Sequence, residues 1–108
     1  MNFTTTALTI LFNKIPRRHS IENLKDINSI LTEYEDLLKK IESINSFYEK
    51  NTMVFFDDLD SVRLKIKKST DNKASKKMKD NFFDEASGEL KDSMQALIEI
   101  YAGGNETL

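Results

Sequence analysis

Between Ser20 and Glu49 the chain runs thirty residues without a glycine or a proline. Along that run Leu24, Ile27, Leu31, Tyr34, Leu38, Ile41, Asn45 and Tyr48 alternate steps of three and four. This is the spacing of a helical seam of coiled-coil type, because positions three and four apart stack on one face of an α-helix. A second stripe, Ile30, Leu37 and Ile44, recurs every seven residues beside the first. It widens the apolar face beyond what one partner helix covers, so at least two neighbours are expected. Ser20 suits the N-cap, and Glu22 places a negative charge where the helix dipole favours it.

What can surround such a helix is limited by composition. The 108 residues amount to one domain, 1–108, with one core. Three glycines and one proline leave little material for the tight turns of a sandwich or barrel. Absence of Cys excludes a disulfide, a thiolate nucleophile and any Cys-based zinc site, and the lone His19 excludes a multi-histidine site. The fold expected is therefore all-α, with no metal and no cofactor.

Further elements follow from periodicity. In 52–68, Phe55, Leu59, Val62 and Ile66 line one face of a helix, with Asp57, Asp58 and Asp60 early and Lys65, Lys67 and Lys68 late, as the dipole favours. A hairpin of MVFF and VRLKI is the competing reading, weakened because no turn dipeptide joins the two runs. Residues 69–79 read as a basic loop, and 80–102 as a helix capped by Asp80. Its apolar face is Phe83, Ala86, Leu90, Met94, Leu97 and Tyr101, with Gly88 on the other side and a C-cap at Gly103 and Gly104. Residues 1–19 form an N-terminal amphipathic segment, with Phe3, Ala7, Ile10 and Leu11 on one side and an end at Ile15-Pro16. Its apolar run is too short to span a bilayer, and its positive charges follow that run, unlike a secretory signal. The acid-free, Thr-rich and Arg-containing composition matches a mitochondrial-type presequence, but such composition arises easily by chance, and a short amphipathic helix is the preferred reading. The expected architecture is a small three-helix bundle of 20–49, 52–68 and 80–102, with the N-terminal segment across one end.

Charge is segregated along the chain: residues 20–62 carry ten acids against four lysines, and 63–79 carry eight basic residues against Asp71. Such blocks either pair with each other or present separate faces to partners. Lys73, Lys76, Lys77 and Lys79 are the candidates for phosphate neutralisation on a nucleic acid, although no aromatic residue interrupts the segment to stack on a base. Asp57, Asp58 and Asp60 read as first-turn acids in preference to cation ligands. His19 reads as a solvated linker residue, and RRHS as a short basophilic kinase match that would put phosphate on a helix N-terminus. The formal glycosylation sequons at Asn2 and Asn105 have no secretory context.

Helix lengths point to one surface. At ~1.5 Å per residue a helix over 52–68 reaches back from Tyr48 only about as far as Tyr34. That leaves Leu24, Ile27 and Leu31 for the last helix, the N-terminal segment or another molecule. Together with Ile10 and Leu11 they form the expected partner-binding patch. The expected function is a non-enzymatic protein-protein interaction module, such as an adaptor, small chaperone, inhibitor or immunity-type binder, cytoplasmic and self-associating. The alternative is a nucleic-acid-associated accessory or regulatory factor using 63–79.

Overall fold

The computed structural model describes residues 3–102, with side chains from 5 to 100. The side chains of Phe3 and Tyr101, expected on apolar faces, the C-cap expected at Gly103 and Gly104, and the sequons at Asn2 and Asn105 lie outside the described residues. Within them the chain is all-α: α1 (Phe3–Lys14), α2 (Ile21–Glu42), α3 (Ser46–Asn51), α4 (Met53–Lys68) and α5 (Lys76–Ala102). Residues 52–68 are thus settled as a helix.

The three long helices of the expected bundle are present, and the N-terminal segment supplies a further wall. α1 packs beside α2 and α5, and α4 packs beside the same two helices. Four helices therefore close a ring in which α1 faces α4 across one diagonal and α2 faces α5 across the other. The body measures 48 × 22 × 18 Å. Its single core takes Leu8, Leu11 and Ile15 from the N-terminal segment, the Ile27 to Ile41 seam of α2, and Phe83, Leu90 and Met94 of α5. Burial of each such side chain contributes about 1.5–3 kcal/mol, which is what holds a helix as short as α1 in place.

Two helix boundaries differ from the sequence expectation. The continuous helix over 20–49 is broken after Glu42, and Asn45 is no seam residue: its Oδ1 accepts the Tyr48 N–H at 3.0 Å and caps α3. Ser43 donates its hydroxyl to the Lys40 carbonyl at 2.7 Å, which helps close the end of α2. An asparagine satisfies a helix N-terminus better than it fills an apolar seam, so the break wins. Buried Thr52 then ends α3 and opens α4, donating its hydroxyl to the Tyr48 carbonyl at 2.8 Å.

At the other end, α5 begins at Lys76, not Asp80. Ser75 Oγ accepts the Met78 N–H at 3.2 Å, which makes Ser75 the capping side chain. The expected loop over 69–79 shortens to a turn in which Asp71 Oδ1 accepts the Lys73 N–H at 2.9 Å. Lys76, Lys77 and Lys79 accordingly stand on the first turn of α5.

Candidate functional site

The expected patch does not survive as a surface. Leu11, Ile27 and Leu31 are buried in the core, Leu24 is partly buried against it, and only Ile10 is open, at 50% exposure. The reason is that α2 packs against both α1 and α4, and α1 also lies along α5, so the seam of α2 faces inward.

Ile10 nevertheless borders a groove. Between α1 and α2 a depression of about 350 Å³ has Ala7, Ile10, Leu11 and Leu37 as its apolar lining. Lys14 and Lys40 border it as cations and Glu33 and Asp36 as anions. It arises because Ala7 is too small to fill the space between the helices, while Ile10 projects outward from the turn whose Leu8 and Leu11 point into the core. Leu37 belongs to the second α2 stripe, and Ala7, Ile10 and Leu11 to the apolar side read for the N-terminal segment, so the periodicity marked both walls of the groove.

The basic candidates divide into two groups. Arg63 donates to Glu35 Oε1 at 3.3 Å, Lys65 Nζ lies 3.5 Å from Glu89 Oε1, and Lys68 Nζ sits 5.6 Å from the centre of the Phe82 ring. These tie α4 to α2 and α5, so part of the basic block is spent within the fold. The Arg63 guanidinium beside Glu35 holds its carboxyl below the usual carboxylate range. Lys73, Lys76 and Lys77 are exposed and Lys79 is half-buried, and among the described residues none of the four has an acidic partner within ion-pair distance.

His19 is not the solvated linker residue expected. It is 18% exposed at the side chain, its Nδ1 lies 3.0 Å from Asp80 Oδ1, and its ring meets Phe83 at 5.5 Å. Its role is to fasten the link between α1 and α2 onto α5, a task shared by Ser87, which donates to the Pro16 carbonyl at 2.9 Å. Ser20 caps α2 by accepting the Asn23 N–H at 3.0 Å. Asp57 and Asp60 are exposed, and among the described residues no three His, Asp or Glu side chains come together in a way that could hold a metal ion.

Tyr34 and Ser93 are joined by a side-chain hydrogen bond of 2.8 Å between buried groups. Burial pushes the Tyr34 phenol far above its ordinary value, with the Ser93 hydrogen bond acting in the opposite sense. The pair joins two helices that do not run side by side. It is a structural bond across the core, remote from solvent. No helix among the described residues is long and apolar enough to cross a membrane. Comparison with protein-family models, with characterised proteins and with solved structures gives no match for this chain.

Proposed function

We propose that this protein is a non-enzymatic interaction module whose groove between α1 and α2 receives an amphipathic helix of a partner protein. The observation that carries the reading is Ile10, a large apolar side chain half open to solvent at the edge of an apolar depression with charges of both signs around it. A helix presenting two or three apolar side chains at steps of three and four would cover Ile10 and Leu37, and its flanking charges would meet Lys14, Lys40, Glu33 and Asp36. Charges of both signs on the rim set orientation more than affinity.

The test is selection of amphipathic helical peptides from a displayed library, followed by titration of the best binder against the protein and its Ile10→Asp variant. Removing the apolar contact and placing a charge there should weaken binding by roughly tenfold or more. Because Ile10 is half exposed, the melting curve should change little. Failure to enrich any peptide, or equal binding by the variant, would refute the assignment. Sedimentation of the protein alone separates this reading from self-association through the same face.

A further inference from the structure

We infer a second interaction surface, independent of the groove and sharing no residue with it: the end of the bundle formed by the link before α2, the end of α4 and the start of α5 docks on an anionic membrane surface.

Three segments that are far apart in sequence converge there. Arg17 and Arg18 lie in the link between α1 and α2, and the 3.0 Å contact of His19 with Asp80 holds that link against the second turn of α5. Arg18 and Lys76 line one cleft together with His19, Asp80 and Asp84. From the other side α4 ends in Lys67 and Lys68, whose edge borders a further depression with Leu64. The turn adds Lys73, and the first turn of α5 adds Lys76, Lys77 and Lys79 with no acid among its residues. Over 17–22 and 67–84 the sequence counts eight Lys and Arg, of which Lys68 lies over the Phe82 ring, against Glu22, Asp71, Asp80 and Asp84. Asp80 is already engaged by His19. The N-termini of α2 and α5 open at this end beside the C-termini of α1 and α4, so the helix dipoles offset one another and the positive field comes from the side chains.

Charge alone would suit any polyanion. The apolar side chains at the same end select among them. Ile21, two residues beyond His19, is 78% exposed, and Met78, two residues before Asp80, is 50% exposed. Neither packs into the core, and neither has a use on a phosphate backbone. Large apolar side chains set among lysines are what a lipid headgroup layer accommodates: the chains enter the interface while the ammonium groups meet anionic lipids. The segment lacks an exposed aromatic platform for bases, which weighs against single-stranded nucleic acid.

The experiment is co-sedimentation of the intact protein with vesicles of phosphatidylcholine alone and of phosphatidylcholine with one third phosphatidylserine. Binding is expected only to the anionic vesicles and should fall steeply between roughly 0.05 M and 0.5 M salt. Each of Lys73→Ala, Lys76→Ala and Lys77→Ala should weaken it by about fivefold. The double variant Ile21→Ser/Met78→Ser, which leaves charge and core intact, should weaken it by roughly tenfold or more. Equal binding to both vesicles, or binding to neither, overturns the inference. A duplex DNA or RNA that binds tighter than the anionic vesicles and is indifferent to the Ile21→Ser/Met78→Ser change also overturns it, in favour of a nucleic acid.

Discussion

Changing Tyr34 to Phe removes one oxygen from the centre of the molecule and leaves the ring in place. Tyr34 is fully buried and Ser93 is 4% exposed, so neither hydroxyl regains water when the other is lost. The net value of the 2.8 Å hydrogen bond is about 0.5–1.5 kcal/mol, and stranding the Ser93 hydroxyl adds a desolvation penalty that brings the total to roughly 1–3 kcal/mol. For a domain of this size that corresponds to a fall in melting temperature of roughly 4–8 °C for each kcal/mol. Ser93→Ala strands the phenol and should cost about the same. The double variant strands nothing and should therefore lose less than the sum, with an interaction energy on the order of 1 kcal/mol. Alkaline pH supplies an independent reading. The folded-state pKa of Tyr34 is raised, so its stabilising contribution is fully present below the unfolded value near ~10 and declines as pH rises beyond it. The decline is about 1.4 kcal/mol per pH unit while the unfolded chain ionises and the folded one does not. Urea unfolding of the wild type and Tyr34→Phe at several pH values from neutral to alkaline measures both effects, since all other groups cancel in the difference. Parallel pH curves for the two proteins, or single-variant losses that simply add in the double variant, would refute the account.

Two further outcomes follow from local geometry. Glu35 is held ionised by Arg63, so that contribution is present above the ordinary carboxylate range and lost as pH falls through its lowered folded-state value; carboxyl NMR titration should show Glu35 moving upward in Arg63→Met. Gly88 is exposed on α5 with open space where a Cβ would stand, so Gly88→Ala should raise stability by about 0.5–1 kcal/mol in urea unfolding, and a loss would mean that the helix bends there.

Much of this fold is legible in periodicity. The apolar faces of α4 and α5 from Phe55 to Ile66 and from Phe83 to Leu97 are the buried faces, and Gly88 is on the open side, because a 3.6-residue period maps directly onto one side of a cylinder. What the period could not show is where a helix stops when capping competes with an apolar seam. Ser43, Ile44, Asn45 and Ser46 hold three residues that prefer caps, and that local preference outweighed a seam in which Asn45 was the one polar member. The consequence is visible at Ile44, which continued the second stripe in sequence yet is 54% exposed. The interaction surface was less legible for a different reason. Apolar residues identify what must be covered, but which element covers them depends on where α1 travels, and nothing in its own twelve residues specifies α2 and α5 as neighbours. Ala7 and Ile10 become a groove only once that path is fixed.

A ring of four apolar helices can in principle be threaded clockwise or anticlockwise, and greasy side chains by themselves distinguish poorly between the two windings. In this molecule α4 is addressed on both flanks: Arg63 reaches Glu35 on one neighbour, while Ser61 and Lys65 both reach Glu89 on the other. These pairs are partly exposed and contribute little to the depth of the native well. Their effect is on uniqueness. Exchanging the neighbours of α4 would part Arg63 from Glu35 and both Ser61 and Lys65 from Glu89, so these three contacts belong to the winding observed.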